Sequence, residues 1–282
     1  MTVLVTAASG HLGHLIVERL LARGAAPADV VAGARVPERA QVPDGVRVVE
    51  LDYDRPETLP AALDGVATLV LVSGSEVGQR ARQHTAVIDA AKAAGVGRIV
   101  YTSLYRADSS PLPLAPEHVA TEQALAASGV PATILRNNWY SENYAPDVER
   151  ARETGILASA TGSGRVASAS REDLADAAAV VALDDTHAHK TYELSGDVAW
   201  DYTELANAIG GALGREVTYQ PLTSEQQLEA LQAAGLDEGT AGFVAALDAG
   251  IAAGALDSDD RTLSTLIGRP TTPLADTLGA LS

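Results

Sequence analysis

Val3-Leu4-Val5-Thr6-Ala7-Ala8-Ser9-Gly10-His11-Leu12-Gly13 runs directly into His14-Leu15-Ile16-Val17-Glu18-Arg19-Leu20-Leu21. Residues Thr2 to Thr6 are mostly apolar and partly β-branched, the composition of a strand buried on both faces of a parallel sheet. From Leu12 the apolar residues recur at Leu12, Leu15, Ile16, Leu20 and Leu21, which is a helical stripe. The chain between them must turn sharply. Gly10 lets the backbone approach a ligand, and Gly13 lets the first helical turn pack on the strand. The unpaired N–H groups and positive dipole end at that helix start suit a pyrophosphate. Thr6, Ala7, Ser9, Gly10, His11 and Leu12 are therefore the candidate phosphate-side residues. A full G-x-x-G-x-x-G pattern would begin with glycine at the position of Ala7. A methyl group is tolerable there if the backbone angles are ordinary. The competing reading, a strand-to-helix turn with no ligand, is weakened by the placement of the motif between the first strand and the first helix.

The 282 residues, 46% of them apolar, suffice for one large α/β domain or a large domain with a smaller one. No uncharged apolar run reaches the roughly 18–20 residues of a membrane span. Nothing basic precedes the first strand, so no secretory leader is expected. The absence of cysteine excludes disulfides, thiolate nucleophiles and Cys-based metal sites. A cytoplasmic protein is expected. The net charge of −17 argues against nucleic acid or an anionic membrane as partner, yet leaves room for a polyanionic cofactor that needs only local positive charge.

The second strand, Asp29 to Ala34, ends at Arg35, 22 residues after Gly13. That is where a dinucleotide-binding fold meets the adenosine ribose. An acidic residue there suits the 2′-hydroxyl of NAD, and an arginine the 2′-phosphate of NADP. Arg35, with Arg39 nearby, points to NADPH, and NADH is left open as a second donor. Asp52, closing the third strand, is either a turn residue or a partner of the adenine amino group. The fourth strand, Ala67 to Val72, ends in Ser73-Gly74-Ser75-Glu76, small polar residues where the middle of the cofactor would pass. Further strand and helix patterns follow to strand six at Pro131–Leu135. Repeated βα units over this length define a doubly wound parallel sheet, a Rossmann fold of the α/β class.

After strand six comes Arg136-Asn137-Asn138-Trp139-Tyr140-Ser141-Glu142-Asn143-Tyr144. Amides and flat rings at the C-terminal edge of a sheet suit a nicotinamide or a planar substrate, although Trp139 and Tyr140 also read as packing aromatics. Asn138, Tyr140 and Asn143 are candidates on the cofactor side. Asn138, Trp139 and Tyr140 are candidates for substrate. Residues 1–150 are expected to form the dinucleotide-binding domain and 151–282 a smaller C-terminal α/β lobe on the substrate side, with a strand near 190–195 returning to the first sheet. The turns at Gly162–Gly164 and Ser195–Asp197 are the expected crossing points.

Several stretches carry a resemblance: Ala8-Ser9-Gly10-His11-Leu12-Gly13-His14, Ser75-Glu76-Val77-Gly78-Gln79-Arg80, Ala90-Ala91-Lys92-Ala93-Ala94-Gly95-Val96 and Tyr101-Thr102-Ser103-Leu104. Arg136-Asn137, Trp139-Tyr140-Ser141-Glu142-Asn143-Tyr144 and Leu266-Ile267-Gly268 complete the set. On these, the chain resembles the NmrA-like atypical short-chain dehydrogenase/reductase family, and within it the bacterial type 2 NAD(P)H:quinone oxidoreductases. The resemblance implies NADPH in the Rossmann lobe and a quinone docking between the lobes. The chain departs from the family pattern at Ala7 and Asn138, both expected to be glycine.

Ordinary short-chain dehydrogenases use a Tyr-x-x-x-Lys pair. Here Ile88 and Thr186 stand four residues before the two lysines, Lys92 and Lys190, so the pair is absent. His118 reads as a helix-start residue rather than a proton carrier. Reduction of a simple ketone needs a proton delivered in the transition state, whereas a quinone takes hydride to give a weakly basic phenolate. The expected activity is direct hydride transfer from NADPH to a quinone without flavin or metal, with Tyr140 and Asn143 positioning the reactants. The alternative is a non-catalytic NADP(H)-binding redox sensor acting through a protein partner. Homo-oligomerisation is left open.

Overall fold

The computed structural model describes residues 1–282. In chain order the first elements are β1 (Val3–Val5), α1 (His11–Ala22), β2 (Val30–Ala34), β3 (Arg47–Glu50) and α2 (Leu59–Leu63). There follow β4 (Thr68–Leu71), α3 (Arg80–Ala93), β5 (Arg98–Leu104), α4 (Ala115–Ser128) and β6 (Ala132–Asn137). Next come α5 (Ala145–Thr154), β7 (Ile156–Ser159), α6 (Arg171–Leu183), β8 (Thr191–Leu194), α7 (Tyr202–Leu213) and β9 (Thr218–Pro221). The chain ends in α8 (Ser224–Ala233), α9 (Glu238–Ala252), α10 (Thr262–Ile267) and α11 (Leu274–Gly279).

Two compact units result. The first comprises Met1–Ala107, Pro116–Asn137 and Arg171–Leu194; the second comprises Asp108–Ala115, Asn138–Ser170 and Ser195–Ser282. The division is therefore not a single cut near residue 150. Helix α6 and strand β8 belong to the first unit, and Asn138 to Thr154 to the second. The chain does cross at Leu194–Ser195, but the Gly162–Gly164 turn lies inside the second unit.

The first unit is a Rossmann fold. Its seven-stranded sheet runs β3-β2-β1-β4-β5-β6-β8 with every pair parallel. Leu4 of β1 lies between Val31 of β2 and Leu69 of β4, so the strand order reverses at β1 and opens the ligand crevice at the carboxyl ends of β1 and β4. Beneath it, Leu4, Leu59, Leu63, Leu69, Leu71, Ile88 and Ile99 pack as one apolar cluster. Helix α6 packs on α1, and its run of buried alanines lets the backbones come close. Arg23 holds Asp176 of α6 at 2.6 Å. Arg98 donates to the carbonyls of Val181, Ala182 and Asp184 at 2.7–2.9 Å, so a buried cation satisfies the C-terminal end of α6.

The turn after β1 rests on a backbone approach. A Cβ on Gly13 would lie 2.3 Å from the Ala7 carbonyl oxygen, so α1 can seat on the strand only with glycine there. Ala7 itself has φ of +50°, and its carbonyl accepts the Gly10 N–H at 2.9 Å. Its backbone angles are thus not the ordinary ones that would make its methyl costless: Ala7 occupies the left-handed region that favours glycine. The Thr6 hydroxyl accepts the Val72 N–H at 2.9 Å and donates to the Val70 carbonyl at 3.2 Å, tying β1 to the end of β4.

In the second unit β7 and β9 form a parallel pair. Tyr144, Trp200, Tyr202 and Tyr219 build its aromatic core, with Tyr144 edge-on to Trp200 at 5.1 Å. Asp248 is mostly buried and accepts the Ala160 N–H at 2.9 Å.

Relieving the left-handed alanine by Ala7→Gly is expected to stabilise the protein by up to about 1 kcal/mol in urea unfolding. Gly13→Ala is expected to destabilise it by several-fold more, since backbone must move. Equal, small effects of both changes on the unfolding midpoint would contradict this account of the turn.

Candidate cofactor and substrate site

Helix α1 begins without a cap. Gly10 occupies the cap position in extended conformation, no side chain bonds the helix start, and no acid stands in the first turn. Ser9, Gly10 and His11 are exposed there, and Leu12 is buried beneath them. The backbone donors of a 12-residue helix thus face outward with their dipole unopposed. A side chain on Gly10 would lie 3.2 Å from the Ala7 carbonyl and cover that end. These residues fit a pyrophosphate. Thr6 is different: it is fully buried and its hydroxyl also meets the Tyr53 hydroxyl at 2.5 Å, so its side chain belongs to the sheet and not to a ligand.

Arg35 follows β2 with a side chain 67% exposed and lies 3.4 Å from Glu76. The other Glu76 oxygen accepts from Gln83 at 3.1 Å. A carboxylate therefore occupies the guanidinium that the sequence assigns to a phosphate, and Glu76, which the sequence places only in the polar strip after the fourth strand, is the partner of Arg35. Arg39 is exposed in a short 3-10 turn. Asp52 accepts the Asp54 N–H at 3.0 Å, the bond of a turn residue.

The Ser73-Gly74-Ser75-Glu76 strip is fixed from below. Ser73 donates its N–H to Thr102 at 2.9 Å, and Gly74 donates its N–H to His84 Nε2 at 3.0 Å. Because Nε2 accepts, the His84 hydrogen sits on Nδ1, 3.0 Å from Thr121 Oγ1, and that hydroxyl donates to the Glu117 carbonyl at 2.9 Å. Arg80 donates to the Gly74 carbonyl at 2.8 Å and pairs with Glu117 at 3.2 Å. Burial, helped by the Arg80 charge, pushes His84 and His118 down to about 3. His118 lies 2.8 Å from the Tyr101 hydroxyl, whose own pKa burial raises. His118 is thus a neutral structural partner of Tyr101.

In the second unit, the block after Asn137 is anchored through Ser141 and Tyr144. Ser141 shares a 2.8 Å hydrogen bond with Ser168, which also accepts the Trp200 indole N–H at 3.1 Å, and Tyr144 enters the aromatic core. The 3-10 turn Ser141–Tyr144 so formed leaves Trp139, Tyr140 and Asn143 half-buried. Asn138 is a correction to the expectation. Its amide donates to Ser195 Oγ and the Leu256 carbonyl, each at 3.1 Å, and accepts the Trp139 N–H at 2.7 Å. Both of its N–H bonds are spent within the unit, so it pins the turn instead of holding cofactor or substrate.

Residues 7–185 match the family described as NAD(P)H-binding. The chain belongs to that NAD(P)H-binding family. Along 98% of this chain and 97% of the other, it is 47% identical to quinone oxidoreductase 2 of Escherichia coli. The crystal structure of an NADPH-dependent quinone oxidoreductase from Escherichia coli, complexed with NADPH, matches with a TM-score of 0.94 and 47% identity over 99% of both chains. A Citrobacter triphenylmethane reductase complexed with NADP(H) matches with a TM-score of 0.92 and 35% identity over 100% of both chains. No helix of the structure is long and apolar enough to cross a membrane.

The buried imidazoles give stability a pH dependence. Folded, they titrate near 3; unfolded, at 6.5. The unfolded chain therefore binds more protons throughout that window, so this stability is complete above the upper value and is lost as pH falls toward the lower one. Asp147, raised by burial to about 6 from 3.8, acts in the opposite direction over its own narrower window. The thermal midpoint is expected to fall between about pH 7 and about pH 5, with a flatter profile in His84→Gln and His118→Gln. Profiles parallel to wild type in both variants would refute the neutral-imidazole assignment.

Proposed function

We propose that this chain is an NADPH-dependent quinone reductase that transfers hydride directly from the nicotinamide to a quinone. The observation that carries the reading is the full-length likeness to the Escherichia coli quinone oxidoreductase, in sequence and in fold. That likeness favours the reductase over a non-catalytic sensor.

Bound NADPH supplies the hydride, and the chain supplies position. Ser9, Gly10, His11 and Leu12 at the open end of α1 hold the pyrophosphate, with Ala7 shaping the turn. Arg35 takes the 2′-phosphate in exchange for the Glu76 carboxylate. Ser73, Gly74 and Ser75 form the rigid strip along which the middle of the cofactor runs, held by His84 and Arg80. Trp139 and Tyr140 offer aromatic faces to a planar quinone, and Tyr140 and Asn143 orient the reactants.

The proton inventory suits this reaction. Hydride addition turns a quinone into an aromatic phenolate, which takes its proton from water afterwards. Tyr101 and His118 are both buried, hydrogen-bonded to each other and held in their neutral forms, so neither is a ready acid at neutral pH. A substrate that forms a strongly basic alkoxide would find no donor there.

Purified protein is expected to oxidise NADPH saturably with a simple 1,4-benzoquinone under anaerobic conditions, and to use NADH less well. Arg35→Ala should raise the KM for NADPH by roughly 10–100-fold, the worth of a charge-assisted contact, and leave NADH nearly unchanged. Glu76→Gln, which frees Arg35, should lower the KM for NADPH. Tight NADPH binding with no turnover on any quinone would transfer the assignment to the sensor.

A further inference from the structure

Asn137 is the only amide side chain of the protein with both Oδ1 and Nδ2 buried and unpaired, in a residue 3% exposed. Such a group is costly to bury, because it has given up water at both ends and gained nothing in return. It stands at a particular place. Asn137 closes β6 at the carboxyl edge of the sheet, opposite Leu104 of β5 and Leu194 of β8. Its own carbonyl is engaged, accepting the Tyr105 N–H at 2.9 Å. Its neighbour Arg136 pairs with Glu122 and Glu193, but successive strand residues point to opposite faces, so that ionic group does not serve Asn137.

Ligands of open α/β sheets bind outside the carboxyl ends of the strands. Arg35 marks β2 as the adenosine side, and β6 lies on the other side of the β1–β4 reversal, where the second half of a dinucleotide belongs. The unmet need is for one donor and one acceptor side by side. A quinone or a phosphate offers acceptors alone and would leave Oδ1 bare. A carboxamide offers both.

We propose that the Asn137 amide binds the nicotinamide carboxamide of NADPH through a reciprocal pair of hydrogen bonds, making it a positioning residue for the hydride-bearing ring. The proposal rests on the NADPH reading above. A ribose diol also carries donors and acceptors, and the test separates the two.

Asn137→Leu removes both polar atoms at similar volume. Affinities of wild type and variant are measured by calorimetry for NADP+, for its 3-acetylpyridine analogue, which lacks the amide N–H, and for 2′-phospho-ADP-ribose, which lacks the nicotinamide. The expected result is a loss of about tenfold or more for NADP+, a smaller loss for the acetylpyridine analogue and none for 2′-phospho-ADP-ribose. The thermal midpoint of the ligand-free variant should be equal to or above wild type, because a buried unpaired amide has been removed. If the leucine chain does not fold, Asn137→Ala carries the same comparison. Equal losses for NADP+ and the acetylpyridine analogue would assign the amide to the ribose and overturn the proposal. Loss with 2′-phospho-ADP-ribose, or no loss with any ligand, would overturn it as well. A wild-type chain that binds none of the three ligands would overturn the NADPH reading itself.

Discussion

The first unit depends on a gap where a side chain would otherwise be. Helix α1 approaches the end of β1 so closely that the space beside Gly13 is filled by the Ala7 carbonyl. This contact fixes the direction of α1, and α1 in turn receives α6, whose alanines permit the second close approach. Because a glycine holds the cap position, no side chain bonds the helix start and its backbone donors are left uncapped. The turn that seats the helix thus also leaves a helix start of the kind that suits an anion. Ala7 shows how firmly the geometry is imposed: an alanine is held at φ of +50° so that the turn keeps its shape.

A second layer of order lies under the strip after β4. Gly74 is gripped through both backbone groups, by His84 at its N–H and by Arg80 at its carbonyl. Arg80 is itself paired with Glu117, which also accepts the N–H groups of Gly78 and Arg80. Burial, with the Arg80 charge added, keeps the imidazoles of His84 and His118 unprotonated, and burial raises the hydroxyls of Tyr53 and Tyr101, so these groups supply rigidity and no acid. The chemistry open to the chain follows from that choice: hydride acceptors that tolerate late protonation fit, and those that need a strong internal acid do not.

The second unit uses its most distinctive sequence in two ways. Within Trp139–Tyr144, Ser141 and Tyr144 are turned inward to Ser168 and the aromatic core, and they hold the turn on which Trp139, Tyr140 and Asn143 are carried. Asn138, where family resemblance leads one to expect glycine, uses its extra atoms to bind Ser195 and Leu256. Its bulk thus serves the turn itself.

The sequence by itself determined the parallel sheet, the strand–turn–helix with its glycines, the arginine after the second strand and the absence of the Tyr-x-x-x-Lys pair. These are local or periodic properties: alternation, spacing and residue type carry them without knowledge of neighbours. Tertiary structure alone decided which candidates are held by distant partners. The side chains of Thr6 and Asn138 are spent on Val70, Val72, Ser195 and Leu256, residues 57 to 118 positions away. It also decided that Glu76 faces Arg35, that the unit boundary is crossed several times, and that Asn137 is buried with its amide unmet. Those facts depend on which distant segments are brought side by side, and a linear pattern does not encode the partner that a polar atom finds once the chain has closed on itself.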